Sequence, residues 1–146
     1  MVFLISACLL GTPCRYDGAS RPMSEEIARL MREHTLIPVC PEILGGLPTP
    51  RPPAERQADG RVLTCEGKDV TDAYRKGAEE VARLAALYGA DGVILRLRSP
   101  ACGTDGIYDG TFSRTLIPGM GVTAELLHSM GVPVYPECLP SPIDKK

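Results

Sequence analysis

The stretch "VFLISAC", residues 2–8, is a short, continuous apolar run that ends at a cysteine. Runs of this length are typical of strands buried on both faces of a parallel sheet. Three later stretches repeat the pattern: "LIPV" (36–39), "GVILRL" (92–97) and "VPVY" (132–135). Helical patterns separate them: "SEEIARLMREH" (24–34), "DAYRKGAEEVARLAALYG" (72–89) and "TAELLHSMG" (123–131). This alternation predicts one α/β domain over residues 1–146, with a mostly parallel sheet covered by helices on both faces.

Local signals indicate where some of these elements begin and where the regular pattern fails. Ser24 is the predicted N-cap of the first helix, because acidic residues follow it in the first turn. Thr71 is the candidate cap of the second helix. The stretch 45–68 contains four prolines and is neither helix nor central strand, although "RVLTC" (61–65) predicts a short edge strand or hairpin arm. A loop this long within a compact domain is often functional.

The charge balance argues against two classes of partner. Sixteen basic and eighteen acidic residues give a formal net charge of −2, without a block of like charge. We therefore expect no strong, sequence-independent binding of nucleic acid and no binding to a membrane surface. No apolar run approaches the ~20 residues of a membrane span. Cys8 resembles the end of a lipoprotein signal, but seven residues precede it and none is basic, so we expect a cytoplasmic protein.

Six cysteines are many for a chain of this kind, and three of them follow predicted strands. Cys8, Cys40 and Cys102 each come shortly after a buried strand. Because the carboxyl ends of parallel strands meet at one edge of a sheet, we expect these thiols to share a crevice. Reducing cytosol argues against disulfides, and the chain has no Cys-x-x-Cys pair of the zinc-ribbon type. Three soft ligands leave a fourth position open, as a catalytic metal or cluster requires.

The other three cysteines have weaker claims to the site. Cys14 lies six residues after Cys8 and could replace it, although we expect it in a turn that leads away from the strand end, with a supporting role. Cys138 follows the last strand and is the rival fourth ligand. Cys65 lies beyond the proline-rich loop and is interpreted as an inert residue away from the site, since free cysteines are often structural.

Two segments place further polar groups beside these cysteines. Glu42 follows Cys40 in "VCPEILGG", on a turn and not on the exposed face of a helix. Ser99 precedes Cys102 in "RSPACGTDGIYDG", where glycines allow backbone amides to approach a ligand. Taken singly, Glu42 could be a solvated turn residue and Ser99 a local cap. Together they predict a pocket with polar groups around the thiols.

The sequence resembles the thiouracil desulfidase family over nearly its whole length. The matching stretches occur in family order: "SACLLG", "CRYDG", "PVCPEILGGLPTPRPPAE", "RSPACG", "YDGTF" and "GVTAELL". The resemblance implies a single-domain, Rossmann-like desulfidase that acts on 4-thiouracil or related thiolated uracils. It also implies a [4Fe–4S] cluster held by Cys8, Cys40 and Cys102, with Glu42 and Ser99 as catalytic partners. The family usually has serine where Ala101 stands and often glycine where Arg114 stands.

The resemblance implies a reaction without net redox change. The thiocarbonyl sulfur of the substrate is expected to bind the iron that lacks a protein thiolate, while Glu42 activates the attacking water. The products would be uracil and hydrogen sulfide, from a free base, a nucleoside or a nucleotide. Three alternatives stay open: a zinc-dependent hydrolase that uses the same cysteines, an iron–sulfur sensor or binding module without turnover, and an α/β domain with inert cysteines.

Overall fold

Eight strands and four helices make up the computed structural model, which describes residues 1–137. The strands are β1 (Val2–Ser6), β2 (Thr35–Val39), β3 (Ala54–Arg56), β4 (Val62–Thr64), β5 (Gly92–Leu95), β6 (Gly106–Tyr108), β7 (Leu116–Pro118) and β8 (Val134–Pro136). The helices are α1 (Glu25–Glu33), the single turn α2 (Pro41–Leu44), α3 (Thr71–Leu87) and α4 (Val122–Ser129). A short 3₁₀ helix (Ala7–Leu10) follows β1. None of these helices has the length and apolarity that a membrane crossing requires.

The central sheet is parallel and has the strand order β2–β1–β5–β8. Residues of β1 alternate between its two faces, as the period of a strand requires. Phe3 and Ile5 pack with Ile27 and Leu30 of α1 on one face. Leu4 packs on the other face in the cluster that includes the apolar residues of α3 and α4. The predicted fold class, a parallel α/β sheet with helices on both faces, is therefore confirmed.

The ends of the elements agree with the sequence signals in part. The Ser24 side chain accepts a hydrogen bond from the Ile27 backbone N–H at 3.2 Å, which confirms it as the N-cap of α1. The prediction for Thr71 was wrong, because this residue lies inside the first turn of α3 and Val70 is the N-cap. The Thr71 hydroxyl instead accepts from the Val62 N–H at 2.9 Å and so joins α3 to β4.

Two small antiparallel sheets lie outside the central sheet. β3 pairs with β4, which confirms the predicted hairpin arm, and β6 pairs with β7. The second pair was not predicted, because "GIY" is short and its neighbours are mostly residues typical of turns. Cys65 directly follows β4 and is exposed. The carboxyl edge of the central sheet is thus left to the segments that follow β1, β2 and β5.

Candidate active site

The three cysteines that follow predicted strands line one pocket at the carboxyl edge of the sheet. Cys8 lies in the 3₁₀ helix after β1, Cys40 is the N-cap of α2 directly after β2, and Cys102 lies in the turn that follows β5. These strands are neighbours, with β1 between the other two. Glu42 and Ser99 line the same pocket. The structure therefore brings all five predicted site residues together, while exposed Cys65 is not among the residues that line it.

Close packing of two helices fixes the segment that carries Cys40 and Glu42. A Cβ atom added to Gly77 of α3 would overlap the Pro41 carbonyl of α2, and one added to Gly45 would overlap the Ala73 carbonyl. The two backbones therefore approach each other more closely than any side chain permits. This contact sets the position of the α2 turn at the pocket wall.

Gly77→Ala is expected to destabilise the fold by about 1–3 kcal/mol through overpacking. Alanine is favoured over glycine by about 1 kcal/mol in a helix interior, so a net loss identifies the overlap with Pro41 as its cause. Lys76→Ala is the matched control on the exposed side of the same helix and should change the free energy of unfolding by less than about 0.5 kcal/mol. Urea denaturation of both variants measures the difference; a stabilised Gly77→Ala variant would contradict this packing.

Hydrogen bonds from two sources hold the turn that carries Cys102. The Ser99 hydroxyl oxygen accepts from the backbone N–H of Ala101 at 3.1 Å and of Cys102 at 3.2 Å. The first amides of α4 donate to the same turn, Val122 to the Pro100 carbonyl and Thr123 to the Ala101 carbonyl. Gly121 makes this approach possible, because a Cβ atom there would overlap the Ala101 backbone. The start of α4 therefore positions Cys102.

The Glu42 carboxylate is held in a buried network. Its Oε2 atom accepts from the Arg51 guanidinium at 2.8 Å and from the Tyr74 hydroxyl at 3.4 Å. Burial and the nearby carboxylate raise the pKa of Tyr74, so this residue stays a protonated donor. A carboxylate with fixed partners in a pocket is suited to general base chemistry.

Cys14 also lines the pocket, although the sequence indicated a turn that leads away from it. The chain reverses at Gly11, whose φ of 94° is left-handed, and Gly11 donates to the Cys8 carbonyl at 3.2 Å. Hydrogen bonding with the Cys14 thiol lowers the pKa of both Cys8 and Cys40 to about 7. The same contacts, with Cys40 first, and burial raise the pKa of Cys14. Cys14 is therefore the thiol of this group that stays protonated, beside two thiols that ionise more easily.

Arg96 supplies positive charge on the other side of the pocket. Burial lowers the pKa of Arg96, but nearby Cys8, Cys102 and Glu42 raise it more, so the net direction is upward. Burial raises the pKa of the Cys102 thiol to about 12. The Ser6 hydroxyl, at the end of β1, accepts from the backbone N–H of Arg96, which follows β5, at 3.0 Å. The same hydroxyl lies 3.5 Å from the Cys102 sulfur.

The side chains around the pocket indicate which kind of metal group it can hold. Within residues 1–137, no three histidine, cysteine or carboxylate side chains are placed to hold a single metal ion. The pocket, which is partly open to solvent, is instead lined by four thiols. The buried Arg15 Nε at this pocket has no hydrogen-bond partner among the same residues. Four soft thiols around a pocket, with an unpaired N–H donor, fit an iron–sulfur cluster, whose usual protein ligands are cysteine thiolates.

The fold and the pocket together define an α/β protein with a thiol-rich site at the carboxyl ends of its parallel strands. A model of the 2-thiouracil desulfurase family matches residues 3–138. The chain is 42% identical over 145 residues to the uncharacterized protein YbbK of Bacillus subtilis strain 168, covering 93% of this chain and 95% of that protein. It is also similar to the solved structure of the [4Fe–4S]-dependent thiouracil desulfidase TudS, with a TM-score of 0.86. That match has 43% identity and covers 92% of this chain and 89% of TudS.

The chain therefore belongs to the 2-thiouracil desulfurase family, and the resemblance inferred from its motifs is confirmed. Several residues that line the pocket were not predicted from the sequence: Ser6, Arg15, Arg51 and Arg96. Tyr74, which donates to Glu42, was not predicted as a site residue either. Arg51 lies in the proline-rich loop. The unusual length of this loop was the sequence signal that could have indicated a functional residue there. Cys138, the rival fourth ligand, lies outside the described residues.

Proposed function

We propose that this chain is a cytoplasmic desulfidase that converts 4-thiouracil or a related thiolated uracil derivative to uracil and hydrogen sulfide. The observation that carries the proposal is the shared pocket of Cys8, Cys40, Cys102 and Glu42. It combines soft ligands for a sulfur-binding metal group with a carboxylate that can take a proton.

Cys8, Cys40 and Cys102 are the proposed ligands of a [4Fe–4S] cluster. Their support is the placement of the three after neighbouring parallel strands, in a 3₁₀ helix, at the N-cap of α2 and in a turn. When bound, the cluster supplies a Lewis-acidic iron without a protein thiolate, a position suited to the soft sulfur of a thiocarbonyl. Arg96 beside Cys8 and Cys102 balances the negative charge of thiolates there.

Glu42 is the proposed general base, and Ser99 orients the water. Both lone pairs of the Ser99 oxygen are used by backbone N–H groups, so its hydroxyl can donate a hydrogen bond but cannot accept the proton of a water. Glu42 has no such restriction. In the overall reaction, the ring carbon gains the oxygen of water and loses sulfur, and both water protons leave with the sulfide as H₂S. No electron donor or acceptor is needed.

The test is turnover by the anaerobically reconstituted protein in ¹⁸O-labelled water. We expect 4-thiouracil to give equal amounts of sulfide and singly labelled uracil without an added reductant. Comparison with the nucleoside and the 5′-monophosphate identifies the preferred form of the substrate. Bound iron without product from any of the three compounds would contradict the proposal and favour a sensor or binding module; turnover that requires a reductant would contradict the non-redox reaction.

A further inference from the structure

Arg51 is the most extensively bonded side chain of the pocket and has no role in the reaction as described so far. Its side chain is only 6% exposed. Its guanidinium donates to Glu42 Oε2 at 2.8 Å, to the Cys14 carbonyl at 3.0 Å, to the Pro48 carbonyl at 3.2 Å and to the Thr49 hydroxyl at 3.1 Å. A buried arginine with acceptors in several directions is fixed in orientation, since the planar fork satisfies them only in one pose.

We infer that Arg51 is the positioning residue for Glu42 and selects which carboxylate oxygen takes the proton. This inference rests on the proposed role of Glu42 as general base. Arg51 and Tyr74 both bind Oε2, and within residues 1–137 no hydrogen bond goes to Oε1. Oε1 is therefore the oxygen left for the attacking water, and the ion pair prevents the carboxylate from rotating to exchange the two atoms.

The same residue joins the base to the loop that carries Cys14. The Arg51 backbone N–H donates to the Tyr16 carbonyl at 2.7 Å, while its side chain binds the Cys14 carbonyl. Loss of Arg51 therefore has two consequences, a mobile carboxylate and a loosened loop. The experiment has to separate them, because only the first acts through Glu42.

The separating experiment is a double-mutant cycle. We expect Arg51→Met to lower kcat for 4-thiouracil by about 10–10²-fold with little change in KM, because misplacing a reacting group by about 1 Å costs up to that much. In a Glu42→Gln background, the same substitution should change the residual kcat by less than about twofold, since the residue it acts through is already gone. Arg51→Lys keeps the charge without the fork and should recover part of kcat.

Iron per chain and the thermal unfolding midpoint are measured for every variant, so that loss of the loop or of the fold is seen directly. Arg83→Met is the control for the loss of an ion-paired arginine, because Arg83 binds Glu80 on the exposed side of α3, away from the pocket. It should leave kcat unchanged. If Arg51→Met does not fold, the Arg51→Lys variant carries the same comparison in the two backgrounds.

Each outcome decides the question. Equal losses of kcat in both backgrounds would overturn the inference and leave Arg51 as a structural residue of the loop. An unchanged kcat in Arg51→Met with normal iron would overturn it as well. A wild-type protein that does not act on 4-thiouracil, its nucleoside or its monophosphate would count against the proposed function, whereas an active wild type with additive losses counts against Arg51 alone.

Discussion

Glu42→Gln is expected to keep its iron and to lose about 10²–10⁴-fold in kcat, the usual contribution of a positioned general base. Glutamine has nearly the same shape as glutamate, and its carbonyl oxygen can still accept from Arg51 and Tyr74. Arg51 also keeps three neutral acceptors, so its charge stays solvated by the protein. The substitution therefore removes the base with little effect on the pocket wall. Anaerobic kinetics with 4-thiouracil and iron per chain measure the two effects separately.

Glu125→Gln is the matched control for this substitution. Glu125 forms a two-pronged ion pair with Arg56 at 3.0 Å, is 59% exposed and lies outside the pocket. Because Glu125 is largely exposed, its pair with Arg56 contributes up to about 1 kcal/mol to stability, and the substitution should have no effect on kcat. If Glu42→Gln retained wild-type kcat, another group would be the base; if it lost its iron, the carboxylate would have a structural role.

Ser99 shows why the role of a hydroxyl near a cysteine cannot be predicted from the sequence alone. The residue types "RSPACG" allow either a catalytic hydroxyl or a local cap, and the structure shows that the hydroxyl caps the Cys102 turn at 3.1 and 3.2 Å. A cap uses the lone pairs of the hydroxyl oxygen, whereas the proposed orientation of a water uses its hydrogen, so the direction of the lone pairs decides which role is possible. That direction depends on the path of the chain from Ser99 to Gly103, which α4 fixes from far along the sequence.

The sheet-edge cysteines could be predicted because their positions follow from a general rule. Apolar runs identify the strands, parallel order brings the strand ends to one edge, and Cys8, Cys40 and Cys102 come with them. Cys14 and Arg51 follow no such rule. Each enters the pocket from a loop whose path the sequence pattern does not define. The loop of Cys14 turns at Gly11, which has a left-handed φ, and the Arg51 side chain is held by the acceptors around its guanidinium.

Glycines illustrate the same limit for packing. Gly77 lies within a clear helical pattern, where the sequence indicates only a residue of low helix propensity. In the fold it faces the Pro41 carbonyl, and this contact determines where Cys40 and Glu42 lie. The sequence shows that Gly77 has no side chain, but it does not show which backbone packs against this position.

Cys8→Ser, Cys40→Ser and Cys102→Ser are each expected to reduce iron per chain below about half of the wild-type value after anaerobic reconstitution, because a cluster that loses a thiolate ligand is poorly held. The reason for choosing these three is their placement at the ends of β1, β2 and β5. Activity should be lost with the iron. Visible absorption and iron analysis of each variant make the measurement.

Cys14→Ser is the decisive comparison, since Cys14 lines the same pocket as the three proposed ligands. A serine hydroxyl keeps one protonated donor at this position, as the Cys14 thiol does, so we expect wild-type iron content in this variant. Cys65→Ser, at an exposed cysteine outside the pocket, controls for thiol loss as such. The contrary result is a Cys14→Ser variant that lacks iron and a Cys8→Ser variant that keeps it. This result would replace Cys8 by Cys14 in the proposed ligand set, because the protein needs only those thiolates that bind iron to retain the iron.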